Sequence, residues 1–172
     1  MPNSIRLGLL AGAVISVLMF APFLLVGPDP AWMEVGEIFG YTSMVLAMSV
    51  TYFAMRAERR KRGTLGFGPA FRTGIAVSLV ASVVFGLTTW GFLAMMGDTL
   101  PQAMVEFYRV KAGDDPAKLA ELESMKPLLF NPPLQAALMF ATVFLIGLVE
   151  SLVGAWIVSR SSSPLTAGRH AS

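Results

Sequence analysis

Residues 134–158 read LQAALMFATVFLIGLVESLVGAWIV, an apolar run whose only charged residue is Glu150. About 20 helical residues, rising ~1.5 Å each, cross the ~30 Å hydrocarbon core of a bilayer. This stretch is therefore long enough to span a membrane. Three further runs, 7–26, 35–55 and 74–96, share its length and character and are separated by charged or proline-rich segments. The pattern predicts an all-α membrane protein with four transmembrane helices in a bundle and a helical extracytoplasmic hairpin, about 98–131, between spans three and four.

Composition points the same way. Of 172 residues, 55% are hydrophobic and 14% charged, whereas soluble domains carry about 25% charged residues. Four spans occupy roughly half the chain, so a single domain is expected over 1–160, followed by a polar tail, 161–172, of disordered composition. The first run exceeds the ~7–15-residue apolar core of a signal peptide, and no small-x-small cleavage pattern precedes Gly27-Pro28-Asp29-Pro30. It is expected to be a retained span.

Several chemistries are excluded by what the chain lacks. It has no cysteine, hence no disulfide, thiolate nucleophile or sulfur-rich metal site. Its one histidine, His170, lies in the tail, so the spans hold no Ser–His pair, His-ligated haem or His-containing zinc site. The methionines read as soft core fillers rather than copper ligands. No catalytic residue, cofactor or metal is predicted, and the expectation is a protein that is not an enzyme. A net charge of +2 is too small to predict a nucleic-acid partner. The expected partners are membrane lipids and either a second copy or a larger membrane assembly.

Orientation follows from the bias of Lys and Arg toward cytoplasmic loops. With both termini on one side, that side holds Arg6, Arg56, Arg59, Arg60, Lys61, Arg62, Arg72, Arg160 and Arg169, while the other keeps Arg109, Lys111, Lys118 and Lys126 and gathers most of the acids. Both ends are expected in the cytoplasm. Arg56, Arg59, Arg60, Lys61, Arg62 and Arg72 then form a topology anchor at the lipid headgroups, where each basic residue gains ~1 kcal/mol from anionic lipid. A specific lipid-head or nucleic-acid site is the alternative. Gly63-Thr64-Leu65-Gly66-Phe67-Gly68-Pro69-Ala70-Phe71-Arg72 reads as an interfacial segment leading into the third span, and its glycines lack the preceding strand and closing Gly-Lys-Ser/Thr of a phosphate loop.

The outer loop follows the rules of helix starts and stops. Thr99 caps a helix that has Pro101 in its first turn and stops at Gly113; Asp115-Pro116 opens a second, on which Leu119, Leu122 and Met125 share a face until Pro127 breaks it. Lys118, Glu121, Glu123 and Lys126 are expected to stay solvated. Asn131-Pro132 gives a third cap-and-proline start, for the last span. The hairpin is expected to lie on the outer mouth of the bundle, with substrate capture as the functional alternative.

Ionisable groups within lipid are costly and tend to mark function or a buried pairing. Glu150 is eight residues from Val158, ~12 Å inside the cytoplasmic boundary at ~1.5 Å per residue. It is expected to be neutral, or paired with a cation such as Arg56 reaching up from the second span. Its readings are a hydrogen bond to Ser or Thr within the bundle, a proton or ion site, or a contact with a partner protein. Glu34, Glu37 and Tyr41 share one face near the outer end of the second span, where the two carboxylates either favour the helix start electrostatically or hold a proton or cation. Trp32 and Trp156 read as interface anchors and Trp90 as a packed residue. Gly8, Gly12 and Ser16 form a small-xxx-small strip that lets another helix approach closely, within the chain or from a second copy. Pro22 is expected to kink the first span.

Glu37-Ile38-Phe39-Gly40-Tyr41-Thr42-Ser43-Met44 and Phe67-Gly68-Pro69-Ala70-Phe71-Arg72-Thr73-Gly74 resemble the two signature stretches of the bacterial membrane family catalogued as domain of unknown function 4199. Asn131-Pro132 matches that family's Asn-Pro before the last span, and the resemblance covers about 7–160. Pro69 and Glu150 depart from its pattern, which has a basic residue at the first position and an apolar one at the second. The resemblance implies four spans in a bacterial inner membrane and brings no established activity. The functional expectation is thus a non-enzymatic accessory or structural component. The alternative is a small oligomeric transporter or proton-coupled channel using Glu150 and Glu37, and a lipid-interacting enzyme stands third.

Overall fold

The computed structural model describes residues 2–27 and 30–160. The tail 161–172 and Asp29 lie outside them, as do the side chains of Trp32, Glu34 and Glu37. The described helices are α1 (Pro2–Val26), α2 (Pro30–Met48), α3 (Val50–Arg62), α4 (Phe67–Met96), α5 (Thr99–Ala112), α6 (Pro116–Leu129) and α7 (Pro132–Arg160). No strand occurs among the described residues. Four segments are long and apolar enough to cross a bilayer: Asn3–Leu25, Ile38–Arg62, Phe67–Met96 and Pro132–Arg160. They coincide with the four runs read from the sequence, and the helices extend past those runs.

Local chemistry explains the extensions. Gly66, extended at φ −68 and ψ 166, opens α4 at Phe67 rather than at 74. Pro69 falls in the first turn, where its missing N–H has no helical partner to lose, so residues 67–72 of the segment read as an interfacial connection are helical. The second span is two helices divided at Ser49. There the Ser49 hydroxyl donates to the Leu46 carbonyl at 2.6 Å, and the Tyr52 N–H bonds to the Ser49 carbonyl at 3.0 Å. Three-residue closures of this kind tighten a turn without ending the chain's course. In α1 the helix passes through Pro22 and ends at Val26, with the N–H of Gly27 (φ 82) bonded to the Phe23 carbonyl at 3.0 Å.

The segment between α4 and α7 departs from the sequence reading in three details. Thr99 is the first residue of α5 and Asp98 occupies the cap position, with no side-chain cap bond. Pro127 does not break α6, which runs on to Leu129. The proline removes one backbone bond, and the final turn is held by the Phe130 N–H on the Lys126 carbonyl and the Asn131 N–H on the Leu128 carbonyl, each at 3.1 Å. Lys126 is partly buried and ion-paired with Glu123 rather than freely solvated. The other starts are as expected. Asp115 Oδ1 accepts from the Ala117 N–H at 3.0 Å, Asn131 Oδ1 accepts from the Leu134 N–H at 3.1 Å, and Gly113 ends α5 at φ 57.

Small residues decide how the long helices meet. A β-carbon on Gly8 would stand 2.7 Å from Val80 Cβ and 2.8 Å from the Val77 carbonyl, and one on Gly12 would stand 2.7 Å from Val84 Cβ and 2.9 Å from the Ala81 carbonyl. The strip on α1 is therefore filled by α4 of the same chain. Gly86 of α4 faces Phe140 and the Ala136 carbonyl of α7 in the same manner. Ala11, Ile15, Met44, Ala81, Phe85 and Val143 form one buried cluster from α1, α2, α4 and α7; Met55, Leu65, Ala70, Ala155 and Val158 form another toward the far end. Leu9, Leu10, Val17, Leu46, Leu87, Trp90, Leu145, Val149, Leu152 and Trp156 point outward. Trp90 is thus on the exterior rather than packed. Large apolar side chains outside with glycine, alanine and serine inside is the distribution expected of helices solvated by lipid, and it would be an aggregation surface in water.

Replacing Gly12 with valine forces its side chain onto the α4 backbone, and overpacking of this kind costs about 1–3 kcal/mol. Thermal unfolding in mild detergent should therefore fall clearly for Gly12→Val. Gly91, with nothing within 4 Å of its would-be β-carbon, should accept alanine without loss.

Candidate functional site

Glu150 lies on α7 at the flank of its buried face, partly exposed. One turn toward the chain end, Gly154 packs against Met55 and Tyr52 of α3. One turn the other way, Ile146 packs against the cluster around Met44 and Phe85. Val149, Leu152 and Val153 beside it are exposed apolar residues. The carboxyl thus sits where the interior meets the outer surface. Among the described residues it has no hydrogen bond or ion pair, and the pairing with Arg56 considered from the sequence is not formed: Arg56 is exposed. The sequence identified the residue but not its exposure, which depends on where α3 crosses α7.

The interior behind Glu150 is lined by hydroxyls that were not singled out in the sequence. Ser78 Oγ of α4 and Ser151 Oγ of α7 are 3.4 Å apart. Two of the serines direct their protons along their own helix, Ser151 to the Gly147 carbonyl at 2.6 Å and Ser82 to the Ser78 carbonyl at 2.7 Å, which leaves Ser78 to donate to Ser151. Back-bonding of this type satisfies a buried hydroxyl without a partner helix. Gly74 brings the helices together here, since a β-carbon on it would stand 2.6 Å from Ser151 Oγ and overlap Met55 Cε. Thr51 is one turn from Met55, as Ser78 is one turn from Gly74, which sets Thr51 at the level of the serine pair. It is 0% exposed, and its Oγ1 is the one buried side-chain oxygen or nitrogen among the described residues with no hydrogen-bond partner. A signal for this layer was present in the sequence: Ala70, Gly74, Ser78, Ser82 and Gly86 recur every four residues along α4.

The remaining predicted residues fall apart from this layer. Tyr41 is exposed on α2, and the side chains of Glu34 and Glu37 lie outside the described residues, so no shared carboxylate site is defined there. Arg56, Arg60, Lys61, Arg62 and Arg72 are exposed, Arg59 is intermediate, and the Arg62 Nε–H donates to Glu58 Oε1 at 2.7 Å. Arg160 closes α7 with its guanidinium 4.2 Å from the centre of the Trp156 ring, a cation–π contact within the last turn of the helix. Ser16 is buried on α1 and donates to the Gly12 carbonyl at 2.8 Å.

Four helices of membrane-spanning length, apolar outside and small or hydroxylated inside, mark the chain as a multi-pass α-helical membrane protein. A family model described as "Protein of unknown function (DUF4199)" matches residues 6–160, and the chain belongs to this family. No match was found among curated proteins or solved structures.

The unpartnered Thr51 hydroxyl gives a direct prediction. An unsatisfied buried polar group costs about 1–3 kcal/mol, while an apolar group of the same shape carries no such cost. Thr51→Val should unfold at the same or a higher temperature than the wild type, whereas Gly74→Val in the same layer should be strongly destabilised.

Proposed function

We propose that the protein is a non-enzymatic accessory component of a bacterial inner membrane, a four-helix bundle with both termini cytoplasmic that associates through α7 with a second copy or another membrane protein. The observation that carries this reading is Glu150, a carboxyl at the lipid-facing shoulder of α7 with exposed apolar neighbours and no partner among the described residues. An ionisable side chain at such a depth costs ~2.5–3.5 kcal/mol on insertion scales. Burial against a polar group of another helix lowers that cost. In this arrangement Val149, Leu152 and Val153 supply the apolar contact and Glu150 the hydrogen-bonding group, as polar residues do between membrane helices. The lack of cysteine and of histidine in the spans supports a role without covalent or metal chemistry. The basic turn at the end of α3 supports a cytoplasmic setting for that end, with α5 and α6 as a hairpin on the opposite side.

Interhelical hydrogen bonds in lipid contribute ~1–2 kcal/mol in model peptides, and ~1.4 kcal/mol is tenfold in an equilibrium constant. Glu150→Leu should therefore weaken self-association or co-purification in mild detergent by about tenfold, measured by mass photometry or cross-linking; unchanged assembly would sink the proposal. The carrier reading makes a different forecast, because Glu150→Gln would then abolish pH-dependent flux into liposomes while leaving assembly intact. Orientation is checked separately. Reporter fusions at Asp114 and Arg60 should report opposite sides of the membrane.

A further inference from the structure

A cavity of about 400 Å³ lies among α1, α2, α4 and α7, beneath α5 and α6, well apart from the Glu150 shoulder. Its inner wall is aromatic: Phe20 stacks on Phe92 with ring centres 4.5 Å apart and on Phe85 at 5.7 Å. Methionines line it from several sides, Met44 from α2, Met139 from α7, Met104 from α5 and Met125 from α6, and such unbranched side chains adapt to guests of variable shape.

Among the described residues, the lining contains no Asp, Glu, Lys, Arg or His. A charged guest such as an amino acid, a phosphate or a metal ion therefore finds no charge among these residues to balance it, and burying it unpaired would cost several kcal/mol. Apart from the tyrosines Tyr41 and Tyr108, the polar side chains that reach the wall are engaged with backbone carbonyls. Thr89 donates to the Phe85 carbonyl at 2.8 Å, Thr142 to the Leu138 carbonyl at 2.9 Å, and Gln135 Nε2 to the Leu129 carbonyl at 3.0 Å. Hydrogen-bonding recognition of a sugar or nucleoside is disfavoured for the same reason.

The exposed part of the lining is on α2 and α7. Tyr41 on α2 and Leu138 on α7 both line the cavity and are 53% and 44% exposed. One turn along each helix, Val45 and Leu134 are exposed as well, so the exposed part of the lining adjoins the outward apolar surface of α2 and α7. Any occupant from that direction arrives from the lipid phase.

We propose that this cavity holds the hydrocarbon chain of a membrane lipid, acyl or prenyl, admitted laterally between α2 and α7 with its polar end near Tyr41 and its tail under the roof formed by α5 and α6. Its volume lies within the range of pockets that enclose small ligands, ~300–1,000 Å³. An uncharged, flexible, aromatic-walled chamber opening on lipid is matched by a hydrocarbon chain and by little else the membrane contains. The inference needs only that the helices stand in lipid and does not depend on assembly through Glu150.

The test uses the full chain in vesicles of phosphatidylethanolamine and phosphatidylglycerol. One set carries a trace of phospholipid with a diazirine near the acyl terminus, the other a trace of diazirine-bearing polyprenyl alcohol. After illumination, peptide mapping should place adducts on residues within the cavity, Met44, Phe92 or Met139, in addition to the outer face around Leu152. Adducts from the acyl probe alone, the prenyl probe alone or both would support the site and identify which lipid fills it. Labelling confined to the outer face with both probes would overturn it. Gly40→Phe, whose β-carbon would meet only the flexible end of Met19, and Met139→Trp each add bulk at the chamber wall. Either should lower cavity adducts about tenfold, the factor ~1.4 kcal/mol of lost binding gives, while adducts at Leu152 stay constant as a measure of folding and reconstitution. Undiminished cavity labelling in a filled variant that keeps the Leu152 adducts would also overturn it.

Discussion

Between helices already in lipid, apolar side chains have no water to leave, so association depends on how nearly two backbones can approach. On α4 this approach is available on two sides. Ala70, Gly74, Ser78, Ser82 and Gly86 recur every fourth residue, and Gly74 and Gly86 receive α7 side chains within van der Waals distance. On another side, Val77, Val80, Ala81 and Val84 fit the notches left by Gly8 and Gly12 on α1. The helix with the longest small-residue strip thus becomes the central element, and α1, α3 and α7 all pack on it. The position of Glu150, the level of Thr51 and the space beneath α5 and α6 follow from those contacts.

The existence and type of each spanning element could be read directly from the sequence because length and apolarity are properties of a single segment. Cap-and-proline starts at Asp115-Pro116 and Asn131-Pro132 were equally readable, since the side chain, the proline and the amide that bonds back are within three residues. Where the reading failed, a second local interaction competed. Pro127 looked like a stop, but Phe130 and Asn131 restore the last turn behind it. The glycine run before Arg72 looked like a connection, but proline in a first turn is compatible with helix, and α4 begins at Phe67. At Ser49 a single hydroxyl redirects a turn inside what reads as one uninterrupted span.

Features that require two helices to be placed side by side were beyond reach of the sequence. Gly8 and Gly12 announced a close approach without naming the partner, and only the structure assigns α4 to it. Glu150 was conspicuous from composition, yet its place at the border between interior and exterior depends on the crossing of α3 and α7. The Ser78–Ser151 contact joins residues 73 positions apart in the chain. The lateral chamber is more remote still from any sequence pattern. It is defined by where six helices fail to meet, and its residues, read singly, are ordinary apolar fillers.

The long helices differ in length. α4 has 30 residues and α7 has 29, against 25 in α1, or ~45 Å and ~43 Å against ~37 Å at ~1.5 Å per residue. A hydrocarbon core of ~30 Å cannot contain the longer pair upright, and the tilt that membrane helices commonly adopt, ~20°, removes only part of the excess. The end turns carry Phe67, Arg72, Trp156 and Arg160, all exposed, and aromatic and basic residues of this kind favour the headgroup zone. Because α4 and α7 are locked together through Gly74, Ser78 and Gly86, they cannot lean independently to absorb a change in membrane thickness. Hydrophobic mismatch would be felt by the pair as a rigid plank, and the protein would partition toward thicker bilayer regions in preference to thin ones.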